Sequence, residues 1–224
     1  IKRVQPFINS KIRTYYGSIL DISSLRSAMR NCDIVFHMGA MLGVKRTELD
    51  KLRCIEINVE GTKNVLDCAV QHNISKVVFA SSSEVYGEPQ KNPITEDFIT
   101  QGKTVYAVSK LAGEELCKAY SEQFSIQATI LRYFNCYGPF QTAQFVISKF
   151  IFRVLKNLPP VINGDGNQIR SYTYVSDTAK ATILSAFNNE ANGEILNIGY
   201  GNNPISLNAL ADLVIEISGK KGSM

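Results

Sequence analysis

The sequence predicts an α/β fold built on a doubly wound parallel sheet. Short apolar runs alternate with helical patterns of 10–20 residues along most of the chain. The runs before about residue 135 are continuously apolar rather than alternating, as strands buried on both faces of a parallel sheet should be. Polar residues gather just past three of those runs, at Gly39-Ala40, Ser81-Ser82-Ser83-Glu84 and Asn135. In such sheets ligands sit beyond the carboxyl ends of the strands, so these clusters point chemistry at one edge.

The elements follow in order. Residues 11–16 read as a short strand ending at Gly17, and Asp21 caps a helix over 23–29. Ile34 to Met38 is an apolar strand closed by Gly39. Apolar residues at 52, 55, 59, 65, 66 and 69 predict one long helix over 50–69. Gly61 inside it costs about 1 kcal/mol against Ala, which points to close packing or to a ligand. A strand over 76–80, a loop with Pro89 and Pro93, a helix over 106–124 and a strand over 128–134 come next. Gly138-Pro139 ends that strand, and a helix over 145–157 stops at Pro159-Pro160. Residues 161–163 and 170–174 read as strands around a Gly164-Asp165-Gly166-Asn167 turn. Asp177 is expected to cap a helix over 178–187, followed by a strand over 194–198 and a helix over 206–217.

Composition narrows the function classes. The chain has 224 residues, 45% hydrophobic and 20% charged, and a net charge of +4 with scattered basic residues, so nucleic acid is a poor partner. No apolar run reaches the roughly 18 residues of a membrane span, and no signal peptide opens the chain. The five cysteines show no C-x-x-C spacing and there are two histidines, so no metal site is expected. Reduced, mostly buried thiols in a cytoplasmic protein are the plain reading. The chain opens on Ile1 and ends shortly after its last helix, which reads as a fragment cut at both ends.

The chemistry concentrates between Lys76 and Lys110. Tyr106 and Lys110 sit at i and i+4, on one face of a helix about 5–6 Å apart. An ammonium there favours the phenolate, and a phenol so tuned can exchange a proton with a substrate alcohol. Taken alone, the pair is what chance supplies in a chain with this many tyrosines and lysines. Ser82, at the end of the preceding strand, changes the odds, because its hydroxyl can hold the same substrate oxygen.

With these residues in hand, the chain resembles the extended short-chain dehydrogenase/reductases, in particular the NAD-dependent nucleotide-sugar epimerase/dehydratase group. The likeness runs from about residue 14 to 217. It rests on seven ordered motifs: Val35-Phe36-His37-Met38-Gly39-Ala40, Asn58-Val59-Glu60-Gly61-Thr62, Ser81-Ser82-Ser83-Glu84-Val85-Tyr86-Gly87, Tyr106-x-x-x-Lys110, Leu131 to Pro139, Gly164-Asp165-Gly166-x-Gln168-x-Arg170, and Val175-x-Asp177. The resemblance implies a Rossmann-like domain over 1–140, rejoined by segments of 170–200, and part of a substrate domain over 141–224. It implies Tyr106 as catalytic base, Lys110 as its partner on the nicotinamide ribose, and Ser82 and Glu84 as further catalytic groups. Ser18, Ile19, Met38, Gly39, Ala40, Asn58 and Phe134 match positions that line the NAD site. Ser82, Ser83, Asn135 and Arg170 match positions that meet the sugar nucleotide, Arg170 at its diphosphate.

Two departures bear on the cofactor. The glycine-rich G-x-x-G-x-x-G turn of the family does not occur in residues 1–16, and the acidic residue that separates NAD from NADP goes with it. The 224 residues alone are therefore expected not to bind NAD measurably. Ser18 stands where the family often has an aspartate toward adenine, a change that weakens the contact without removing it. The activity implied is 4-epimerisation of a nucleotide sugar by transient oxidation at C4. Ser83-Glu84 keeps decarboxylase and dehydratase as alternatives, and a non-catalytic sensor or scaffold is the rival from another class. The resemblance also implies a cytoplasmic homodimer formed through helices 50–70 and 106–124.

Overall fold

The computed structural model describes residues 11–89 and 91–220. Four parallel strands form the main sheet in the order β1 (Ile34–His37), β2 (Lys76–Ser82), β3 (Gln127–Tyr133) and β7 (Ile195–Ile198). The register sets Phe79 opposite His37 and Ile130, and Ser82 opposite Tyr133. The chain divides into two compact units, residues 1–133 with 180–198, and residues 134–179 with 199–224. The first unit thus ends at Tyr133 rather than at 140, and the chain rejoins it at Lys180 rather than at 170.

In the first unit, helices α1 (Ile22–Met29), α4 (Gly61–Gln71) and α5 (Val105–Phe124) cover one face of the sheet. Leu66, Ala69, Phe79, Cys117, Tyr120 and Ile130 close that core. On the other face Ala186, in α7 (Val175–Phe187), packs with Val78 and Leu131. Burial on both faces is why β2 and β3 are mostly apolar rather than alternating. Lys76 opens β2 and is itself buried, because its ammonium donates to the Ser185 and Asn188 carbonyls at the end of α7, at 2.6 and 3.2 Å. A cation suits the negative end of a helix.

Asp21 caps α1 as expected, accepting from Ser23 N at 3.0 Å. Several expectations need correction. Residues 11–16 form no strand, since no described strand pairs with them, and Ile12, Tyr15 and Tyr16 stay exposed. The helix expected over 50–69 is α3 (Lys51–Ile55), a π-helical segment (Glu56–Glu60) and then α4. A separate helix α2 (Val44–Leu49) precedes it. Gly61 is explained by packing: a Cβ there would lie 2.5 Å from Ile19 Cδ1.

The second unit is held by Phe150 of α6 (Val146–Leu155) against Leu210 and Ala211 of α8 (Leu207–Ile217). Residues 161–163 are not a strand, and 170–174 does not form a hairpin around the 164–167 turn. Instead β5 (Ile169–Arg170) pairs antiparallel with β8 (Ile205–Ser206), and β6 (Thr173–Tyr174) pairs parallel with β4 (Cys136–Tyr137). Sequence neighbours thus go to different partners, which local patterning cannot foresee. Asp177 lies inside the first turn of α7 rather than at its cap, because the helix starts straight off β6 at Val175.

Candidate active site

Strand β2 carries Ser81 and Ser82 to the carboxyl edge of the sheet, and a 3-10 turn over Ser83–Tyr86 leads the chain away. The Ser82 hydroxyl ends the strand and accepts from Glu84 N at 3.2 Å. It also eases the ionisation of the Tyr106 phenol. Tyr106 stands in the first turn of α5, where the Thr104 hydroxyl accepts from Ala107 N at 3.1 Å and Glu48 accepts from Val105 N at 3.2 Å. That cap sets where the helix begins and therefore where the phenol points.

Lys110 is buried one turn on, 4% exposed. Its ammonium donates to the Ala80 carbonyl at 2.6 Å and lies over the Phe79 and Tyr106 rings, 5.0 and 5.7 Å from their centroids. Gly113 lets α5 come this close to β2, since a Cβ there would overlap Phe79 Cζ. Desolvation lowers the Lys110 pKa to about 8, opposed by Cys117, Cys54 and Glu114.

The phenol behaves differently from the sequence expectation. Burial pushes the Tyr106 pKa up to about 12, the Ser82 hydroxyl opposes that rise, and Glu84 and Cys54 add to it. Lys110 sits over the ring rather than at the hydroxyl, so it does not pull the phenol down here.

Asn58 is tied to its neighbours in the protein. It is 2% exposed, in the π-helical segment, and its amide is spent on protein. Met41 N donates to Oδ1 at 2.7 Å, and Nδ2 donates to Met41 O at 3.0 Å and to Ser109 Oγ at 2.9 Å. Ser109 Oγ in turn donates to Tyr106 O at 2.8 Å. Asn58 thus ties the 38–43 loop to the tyrosine helix. Next to it, Thr62 Oγ1 bonds both Asn58 O and His37 Nε2, at 2.6 and 2.9 Å. Burial, with Lys110 nearby, holds the His37 pKa down at about 4, so this imidazole is neutral.

The remaining positions of the first unit sit as follows. Met38 and Gly39 are exposed past β1, and Ala40 is half-buried. Ile19 packs with the α1 and α4 core and has its carbonyl bonded by Asn64 Nδ2 at 3.2 Å, while Ser18 is exposed and accepts from Leu20 N. Ser83 and Glu84 begin the 3-10 turn, with Glu84 exposed. Ser82, Tyr106 and Lys110 are therefore brought together, with Glu84 beside them.

Phe134, Asn135 and Arg170 belong to the second unit. Asn135 has φ +34° and donates from Nδ2 to Ser171 O at 3.0 Å. Arg170 is exposed, its Nη1 on Ile169 O at 2.8 Å. A small cavity of about 70 Å³ in this unit is lined by Asn135, Tyr137, Gln141, Phe145 and Tyr172.

Sequence reasoning passed over Glu114 and Arg132, which form a buried ion pair of 2.7 Å beneath the site. A signal was available: Glu114 repeats the Tyr106–Lys110 spacing, and Arg132 interrupts an apolar strand where only a paired charge survives.

For a nicotinamide dinucleotide, the donor chemistry at this edge fits. A lysine N–H, a phenol and a serine hydroxyl converge where a ribose diol and a reacting alcohol need partners.

Comparison with known proteins finds relatives in one family. Residues 2–199 match the model of the NAD dependent epimerase/dehydratase family. A UDP-N-acetyl-alpha-D-glucosaminuronate decarboxylase of Bacillus cytotoxicus is 42% identical over 190 residues, which is 81% of this chain and 58% of that protein. A putative UDP-glucose 4-epimerase of Methanocaldococcus jannaschii is 40% identical over 197 residues, 86% of this chain and 63% of that one. The chain thus spans about three fifths of these curated relatives. The crystal structure of UDP-glucuronic acid 4-epimerase from Bacillus cereus, in complex with UDP-glucuronic acid and NAD, is 30% identical with a TM-score of 0.92, over 98% of this chain and 70% of that one.

Proposed function

Because the chain belongs to the NAD dependent epimerase/dehydratase family, we propose that it is part of a nucleotide-sugar 4-epimerase acting by transient oxidation at C4. The observation that carries this reading is the placement of Ser82 at the carboxyl end of β2 with Tyr106 in the first turn of α5 and the Lys110 ammonium over the phenol ring. A UDP-hexose or UDP-uronate is the substrate class, in keeping with the relatives named above.

Tyr106 takes the proton of the C4 hydroxyl while Ser82 holds that oxygen in line. NAD, when bound, supplies a positively charged hydride acceptor, which also favours the phenolate over the phenol. Tyr106 then returns its proton to the C4 oxygen after the keto sugar has turned, so the proton balance closes within the site. Lys110 keeps a cation over the phenol ring throughout. Asn135 and Arg170 are assigned to the sugar and the diphosphate, Phe134 to the nicotinamide, and Ser18, Ile19, Gly39 and Ala40 to the rest of the cofactor. Asn58 acts by positioning.

Decarboxylation of a UDP-uronate is the second reading. It is favoured by the Ser83-Glu84 pair and by the decarboxylase relative at 42% identity. The whole enzyme with UDP-glucose, UDP-glucuronate and their C4 epimers, followed by proton NMR, separates the two. A C4 epimer of the same mass supports epimerase, whereas loss of CO2 to a pentose supports decarboxylase. No change in any of them ends the proposal.

We further assign a homodimer through helices 50–70 and 106–124, supported by exposed Leu49 and Leu52 at the start of that surface. A cytoplasmic setting fits the five free cysteines. Among the described residues no helix is long and apolar enough to cross a membrane.

A further inference from the structure

Beneath the Tyr106–Lys110 face lies a chain of buried polar groups that the reaction does not use. Ser81 Oγ donates to Glu114 Oε1 at 2.5 Å. Arg132 grips the same carboxylate with two bonds, Nε to Oε1 at 3.0 Å and Nη2 to Oε2 at 2.7 Å. Arg132 Nη1 also donates to the Tyr86 hydroxyl at 2.8 Å and to Glu96 O at 3.2 Å. Tyr86 donates on to Asn197 Oδ1 at 2.7 Å, and Glu96 Oε1 accepts from Asn197 N at 2.7 Å. Glu114 and Arg132 are 1% and 4% exposed.

Such a pair is an expensive way to fill a core. Desolvating the two charges costs several kcal/mol per ion, and apolar side chains of like volume often stabilise as well or better. Apolar packing, however, lacks direction. This network joins the carboxyl ends of β2, β3 and β7, the body of α5 and the loop at 94–97 through bonds of fixed geometry. Ser81 is the neighbour of Ser82, and Glu114 lies one turn beyond Lys110 on the same helix. The two elements that must be in register for Ser82 to meet Tyr106 are thus bonded to one guanidinium.

We propose that Glu114 and Arg132, with Ser81 and Tyr86, are positioning residues that hold the Tyr106–Lys110 helix in register with Ser82 and with the 84–97 loop. This rests on the epimerase/dehydratase reading for its kinetic consequence, though not for its structural one. The network is separate from substrate and cofactor, so its loss should slow the chemical step without weakening binding.

The test uses the whole enzyme with Ser81→Ala and Tyr86→Phe, which remove hydroxyl bonds and keep the ion pair. Glu114→Gln would leave a buried guanidinium poorly paired and put folding at risk. Lys118→Ala, which breaks an exposed pair with Glu115 on the same helix, is the control. A hydrogen bond to a charged group corresponds to roughly a tenfold effect or more. Amide hydrogen exchange over 105–110 should therefore quicken about tenfold in Ser81→Ala, with 61–71 and the control unchanged. Turnover should fall about tenfold in both variants, with KM within about twofold. Wild-type exchange over 105–110 in both variants overturns the proposal, and so does a fall in turnover carried mainly by KM. If the wild-type enzyme turns over no sugar nucleotide, the functional reading fails, and the exchange measurement still decides the network. Should Ser81→Ala not fold, Tyr86→Phe alone decides it by the kcat and KM split.

Discussion

The Ser82 hydroxyl at the carboxyl end of β2 favours ionisation of the Tyr106 phenol, opposing the burial that lifts the phenol's pKa to about 12. Removing it should do two things. In Ser82→Ala, turnover should drop by about 10²-fold, within the range for a lost proton-transfer partner. The rising limb of the kcat–pH profile should also move to higher pH, since a hydroxyl that lowered the phenol's pKa is gone. A wild-type midpoint in the variant would show that Ser82 does not tune Tyr106.

Tyr106→Phe keeps the ring under Lys110 and deletes only the hydroxyl. Turnover should fall by about 10³-fold or more, because proton transfer to the reacting oxygen has no other carrier. Titration calorimetry with UDP-sugar should give an affinity within a few fold of wild type. Full turnover in this variant would remove the phenol from the mechanism.

His37 is neutral and buried, bonded to Thr62, with its pKa held at about 4 against an ordinary 6.5. Between those values the unfolded chain binds the extra proton, so stability falls as pH drops from 6.5 towards 4. The full effect is roughly 3 kcal/mol. Thermal melts across that window should show the decline, and His37→Asn should flatten it. An equal slope in the variant would assign the acid sensitivity to carboxylates instead. Lys110, depressed to about 8, works in another window: stability should rise with pH from about 8 to 10.5 as its buried charge is relieved.

Gly113 lies where α5 crosses Phe79, a ring that is itself fully buried. Gly113→Ala gains about 1 kcal/mol of helix propensity. The new methyl must displace a packed ring and the helix that carries Lys110, at about 1–3 kcal/mol. Overpacking should win, so denaturant midpoints should fall, and Phe79→Leu in the same chain should restore part of the loss. A more stable Gly113→Ala would mean the contact has slack.

Much of this molecule could be read in advance. The runs at 34–38, 76–80 and 128–134 became β1, β2 and β3, because strands buried on both faces admit only apolar residues. Ser82, Tyr106 and Lys110 were legible as a group, since a strand end and an i, i+4 pair are local geometry. The strands at 11–16 and 161–163 were misread for want of partners, and 170–174 was misread because its halves pair with different segments. The long helix over 50–69 runs on through a π-helical segment that no side-chain periodicity announces. The amide bonds of Asn58 with Met41 and Ser109, distant in sequence, could not be read from local pattern.

The main strands and the grouping of Ser82, Tyr106 and Lys110 came from the sequence alone, because hydrophobic period, caps and short spacings act over a few residues. The ionisation of those groups did not. Whether Lys110 stands at the phenol's oxygen or over its ring, and whether Glu114 is a surface charge or the centre of a buried network, depends on burial. Desolvation and hydrogen bonding across Ser81, Glu114 and Arg132 exist only once β2, α5 and β3 have packed together.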